Sequence, residues 1–162
     1  MTTKNFIFMR DIVCKFHPKF IESADLRKAG LENPELFNVE RCVEESLAYA
    51  GNMQFVDEEG YDFLPDYSDS KTVTVNLTRK VAEIGSVENK IGPLRITVYN
   101  PITSSAEFFY LPQKLVSSYK EPCYGKNSHK ERIKIYFNKD GRYGYFQKFK
   151  VPSFDALALA RD

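Results

Sequence analysis

The chain has 162 residues, 43% of them hydrophobic, and a formal net charge of +1, enough apolar material for one compact domain with a sizeable core. Its three cysteines, Cys14, Cys42 and Cys123, are scattered and odd in number, which argues against a disulfide framework or a zinc site and fits a reducing compartment. No run approaches about eighteen apolar residues, and Met1-Thr2-Thr3-Lys4-Asn5 is no signal peptide, so a soluble, cytoplasmic protein is expected.

Thirteen Phe and ten Tyr favour a sheet-rich interior. Phe6-Ile7-Phe8-Met9 suits a strand or a helix. His17 precedes Pro18 and belongs in a turn, and the segment to Gly30 reads as a peripheral helix or arm. Beyond Asn33-Pro34, the residues Val39, Cys42, Val43, Ser46, Leu47 and Ala50 recur at helical spacing, and Gly51 supplies a stop. This helix carries Glu40, Glu44 and Glu45. Met53 to Val56 reads as a strand, with Asp57-Glu58-Glu59-Gly60 as its turn.

The stretch Tyr61 to Val75 is the richest in chemistry. Lys71 to Val75 alternates and is rich in Thr and Val, a strand pattern. Side chains two apart share a face, so Asp69 and Lys71 project together and Val73 and Val75 follow towards a core. Asp62 lies seven residues before Asp69 with Pro65 between them. That spacing allows a tight hairpin or bulged bend which returns Asp62 beside Asp69. Two carboxylates and an ammonium converging on one spot are what a Mg²⁺-dependent phosphodiesterase needs: the acids hold a hard cation, and the lysine positions or activates the attacking water.

Asp62, then six residues, then Asp69-x-Lys71 resembles the signature of the PD-(D/E)xK nucleases, and Asp69-Ser70-Lys71-Thr72-Val73 is closest to the MutH-type version. The likeness implies an α+β fold with a restriction-endonuclease-like mixed central sheet flanked by helices. It implies Mg²⁺, with Mn²⁺ able to substitute, at Asp62 and Asp69, and Lys71 acting on the water. Double-stranded DNA is the implied partner, in a restriction, homing or repair role, and a homodimer is the implied assembly for cutting both strands. In many such nucleases a preceding helix gives a further Glu to the metal. Glu44 and Glu45 are equally far from the apolar stripe, and nearness to Asp62 in sequence slightly favours Glu45. Asp57 is the alternative to Asp62 as first carboxylate, and Asp66, after Pro65, reads as a turn residue. Pro65-Asp66 with Glu88-x-Lys90 also spells the motif. It is set aside because Glu88-Asn89-Lys90-Ile91-Gly92-Pro93 has a loop composition; Lys90 is kept as a phosphate contact.

Downstream, Val81 to Val87 is a predicted strand, and Leu94, Ile96 and Val98 alternate with Arg95, Thr97 and Tyr99 in another. Arg95, on the polar face, is a candidate for a phosphate or for pairing with an acid. Glu107 to Leu111 gives a strand and Pro112 to Tyr119 a short helix. Glu121 to Lys130 is a loop, with Lys126 and Lys130 as candidate phosphate or groove contacts. Arg132 to Phe137 and Tyr143 to Val151, joined through Asp140-Gly141, read as a hairpin whose Arg132 and Lys148 are further candidate contacts. Ser153 is a natural N-cap for a closing helix.

Charge is segregated along the chain. Leu31 to Ser70 holds eleven acids and one Arg, whereas Gln113 to Lys150 holds ten Lys or Arg against three acids. An acidic centre beside a basic third suits a metal-dependent nuclease, whose acids gather the cation while basic groups meet phosphates. No Gly-x-Ser-x-Gly, P-loop or dinucleotide fingerprint occurs. The expected function is thus a Mg²⁺-dependent DNA endonuclease. The alternative is a non-catalytic nucleic-acid-binding or phage accessory protein that uses the basic C-terminal hairpin.

Overall fold

The structure, a computed structural model, describes residues 39–100, 105–138 and 142–162. The expectations for Phe6 to Met9, for His17 and for the segment to Gly30 lie outside these residues. In chain order the elements are helix α1 (Val39–Ala50), strands β1 (Gln54–Glu58), β2 (Tyr61–Leu64), β3 (Asp69–Thr74), β4 (Val81–Ile84), β5 (Leu94–Asn100) and β6 (Ser105–Leu111), helix α2 (Gln113–Tyr119), strands β7 (Lys120–Pro122), β8 (Glu131–Tyr136) and β9 (Lys150–Val151), and helix α3 (Phe154–Leu159). The architecture is α+β. Among the described residues no helix is long and apolar enough to cross a membrane.

β1 and β2 form an antiparallel pair. A mixed four-stranded sheet runs β3–β5–β6–β9, with β3 parallel to β5 and the other pairings antiparallel. A second, antiparallel sheet runs β4–β8–β7. β5 is the centre of the fold, because all seven of its residues are buried. Its Leu94, Ile96 and Val98 pack with Ala82 and Ile84 of β4, Ile133 and Ile135 of β8, and Phe109 and Leu111 of β6. On the other face Tyr99 joins Val43 and Leu47 of α1, Phe154, Leu157 and Ala158 of α3, and Phe63 and Tyr110. The mixed sheet therefore lies between a helical layer and the second sheet, and burying an Ile or Leu at such a position contributes about 1.5–3 kcal/mol.

α1 ends where the Gly51 amide donates to the Leu47 carbonyl at 2.9 Å. Glycine is required there, since a Cβ would lie 2.3 Å from the Ala158 carbonyl oxygen of α3. Ser153 caps α3, its Oγ accepting from the Ala156 amide at 3.0 Å.

The hairpin expected from Arg132 to Val151 does not form. Residues Gly144–Phe149 make a 3₁₀ helix, and β9 pairs with β6 rather than with β8. Tyr143, Phe146 and Phe149 are spaced by three, the period of a 3₁₀ helix. All three are buried, and the rings of Phe146 and Phe149 meet edge-on at 5.0 Å. Both edges of β8 are already taken by β4 and β7. The apolar gain of one aromatic face thus winds this segment into a 3₁₀ helix instead of a second strand of a hairpin.

Candidate active site

The site is built on the bend between β2 and β3. The amides of Asp62 and Phe63 both donate to the Ser68 carbonyl, at 2.9 and 3.1 Å. Asp66 Oδ1 accepts from the Ser68 amide at 3.1 Å and from its hydroxyl at 2.6 Å, an Asx-type closure of the loop. The chain is thereby turned so that the Ser70 amide donates to Asp62 Oδ2 at 2.9 Å. Gly92 passes directly against this loop, where a Cβ would lie 2.0 Å from the Tyr67 carbonyl oxygen. The Asp69 amide donates to Pro93 at 3.0 Å and fastens the start of β3 to the start of β5.

The bend buries two carboxylates, Asp62 at 6% and Asp69 at 2% exposure. Lys71 Nζ stands 3.7 Å from Asp69 Oδ2 and donates to the Ser86 carbonyl at 3.3 Å. From the loop before β5, Lys90 Nζ comes within 3.0 Å of Asp69 Oδ1. Burial and the charge of Asp69 raise the Asp62 carboxyl above its ordinary range, with the Ser70 amide pulling the other way.

α1 contributes Glu44. Oxygens of Glu44, Asp57 and Asp62 all lie within 4.8 Å of one another. Burial, then the Asp62 charge, push Glu44 up to about 8 against the pull of Arg41. Arg41 lies 3.9 Å from Glu44 and 2.8 Å from Asp57. These three acids could hold a metal ion. The donor set is all oxygen, as a hard divalent cation requires. Burial and the neighbouring charges of Asp62 and Asp57 raise the affinity of Glu44 for a proton, a repulsion that a cation would relieve. Alongside, Asp69 is buried between the charges of Lys90, at 3.0 Å from Oδ1, and Lys71, at 3.7 Å from Oδ2.

The structure thus brings Asp62, Asp69 and Lys71 together. Glu44, not Glu45, is the helix acid that stands with Asp62. Ala48 is buried and lies four residues on from Glu44. Ala48 is equally a neighbour of Glu45, three residues before it, so helical spacing does not separate the two glutamates and the packing of α1 does. Asp57 joins Asp62 rather than replacing it. Lys90 belongs to the site itself, which its loop composition concealed.

The other proposed contacts divide. Arg95 is completely buried, because β5 is covered on both faces, so its polar alternation does not face solvent; it is no phosphate contact. Arg132 pairs with Glu83 at 3.5 Å and Glu121 at 3.2 Å. Lys148 is exposed on the 3₁₀ helix and lies over the Phe149 ring at 5.2 Å. Lys126 and Lys130 are exposed around a 3₁₀ turn at Gly125–Asn127. No protein-family model matches the chain, and comparison with curated proteins finds no match.

Proposed function

We propose that the protein is a metal-dependent DNA endonuclease with a PD-(D/E)xK-type site. The observation that carries this reading is the return of Asp62 against Asp69, with Lys71 beside the pair and Glu44 facing Asp62. Mg²⁺ is the proposed metal, with Mn²⁺ as a substitute, and Glu44, Asp57 and Asp62 would hold it with Asp69 adjoining. The cation, when bound, supplies Lewis-acid polarisation of the phosphoryl group and a more acidic water.

The remaining chemistry belongs to the chain. The Ser70 amide orients Asp62, leaving its other oxygen for the cation. Lys71, aligned by Asp69 and the Ser86 carbonyl, directs its ammonium at the attacking water and at the charge that develops on the pentacoordinate phosphate. Lys90 adds a second positive charge at the same place. In-line attack of water would form a new P–O bond and break the P–O3′ bond, giving a 5′-phosphate and a 3′-hydroxyl, the proton lost by the water balancing the one taken up by the departing 3′-oxygen. With one site per chain, cutting both strands calls for a homodimer or two successive nicks.

Plasmid cleavage tests the reading. Wild-type protein should convert supercoiled DNA in Mg²⁺ but not in EDTA, and Asp69→Ala and Lys71→Ala should each lower the rate by at least about 10²-fold. No cleavage of any of several DNAs, together with salt-sensitive binding, would instead favour the non-catalytic nucleic-acid-binding protein. The exposed Lys126 and Lys130 support that second reading.

A further inference from the structure

We propose that Arg95 is a positioning residue for the candidate site, holding the bend of residues 62–68 in place and tying it to the end of α3. The inference rests on reading Glu44, Asp62, Asp69 and Lys71 as the working site. A guanidinium has five N–H donors, and here five acceptors meet them. Nε donates to Ser68 Oγ at 3.1 Å, and Nη2 donates to Asp66 Oδ2 at 2.7 Å and to the Ala160 carbonyl at 2.9 Å. Nη1 donates to the Leu157 carbonyl and to that of Ala158 at 3.4 Å. The group also lies over the Tyr110 ring at 5.2 Å.

The two halves of this network do different work. Leu157, Ala158 and Ala160 present carbonyls at a helix end, which have no partners within the helix. Asp66 and Ser68 belong to the loop whose Ser68 carbonyl holds the Asp62 and Phe63 amides. Burial would raise the Asp66 carboxyl, but the Ser68 hydroxyl and amide and the Arg95 guanidinium hold it below its ordinary value. Asp66 therefore stays charged against a cation that is itself buried, and the loop is clamped from beneath. A lysine keeps the charge but cannot reach five acceptors lying around one plane.

The test is Arg95→Lys, with Ser68→Ala as the milder variant that removes only the Nε contact and the hydroxyl bond to Asp66. Amide hydrogen exchange is measured on metal-free protein, and Mn²⁺ affinity by calorimetry without DNA. Ile133→Val, in the opposite core, serves as the destabilised control. Protection at the Asp62, Phe63 and Ser70 amides should fall by about tenfold more than at Ile96 and Val98, as a local opening rather than global loosening. Mn²⁺ affinity should fall 10–100-fold, the usual range for a group that supports metal ligands, while the control keeps it. If Arg95→Lys does not fold, the same selective pattern in Ser68→Ala supports the proposal. Exchange at the three amides that rises only in step with the β5 core would overturn it. Selective loss of protection in a protein whose wild type cleaves no DNA would sink the nuclease reading and leave the positioning role standing.

Discussion

Lys90 stands 3.0 Å from Asp69, so a loop residue from beyond β4 supplies the countercharge to an acid buried at the start of β3. Removing Lys90 takes away the nearer countercharge of a buried carboxylate and leaves it with Lys71 at 3.7 Å. Lys90→Met is expected to cost about 3 kcal/mol in metal-free protein. Mn²⁺ should restore part of the loss, because a cation near Asp69 takes over the charge. Thermal unfolding with and without Mn²⁺ checks this: the metal-induced rise in Tm should be larger in the variant than in the wild type.

Glu44 and Glu45 are neighbours on α1, yet only Glu44 shares a group with Asp57 and Asp62. Glu44→Gln should weaken Mn²⁺ binding by about tenfold or more, equivalent to ~1.4 kcal/mol. Glu45→Gln should leave it within about twofold of the wild type, or ~0.4 kcal/mol. Calorimetric titration of the two variants distinguishes them, and equal losses would remove Glu44 from the site.

The same glutamate makes stability depend on pH. Glu44 is pushed from an ordinary 4.5 up to about 8 in the folded protein, chiefly by burial and then by Asp62. The folded state therefore binds this proton more tightly than the unfolded chain. The stabilisation is complete below about pH 4.5 and fades as pH rises towards 8. Asp62, also raised, acts in the same direction. Metal-free protein should thus lose stability to urea between pH 5 and pH 8, and Glu44→Gln should flatten that slope and exceed the wild type at pH 8. A variant with the wild-type slope would show that Glu44 does not hold the proton.

Charge on the basic third is partly spent within the fold. Arg132 is paired with Glu83 and Glu121, Lys134 with Glu121 and Lys150 with Glu107. Lys126 and Lys130 are exposed. Under the DNA-binding reading, Lys126→Ala and Lys130→Ala should each reduce the slope of log K against log salt by about one. Arg132→Ala should change the slope much less. Fluorescence anisotropy on a short duplex across a salt series measures all three.

What the amino-acid order determined by itself was local. The repeat of Val39, Val43 and Leu47 with the Gly51 stop gives α1, the alternation after Asp69 gives β3, and Ser153 gives the cap of α3, because each rests on contacts within a few residues. The closeness of Asp62 to Asp69 was legible for the same reason, since a bend of a few residues has few ways to close. Tertiary structure decided the rest. β5 is covered on both faces, which turns Arg95 from a surface cation into a buried clamp. The aromatic face of Tyr143, Phe146 and Phe149 winds into a 3₁₀ helix because a neighbouring core receives it. Glu44 and Lys90 reach the acids of the bend only because α1 and the loop before β5 are packed against them. No spacing along the chain encodes which elements meet in space, and that meeting selects one glutamate of two and one lysine of many.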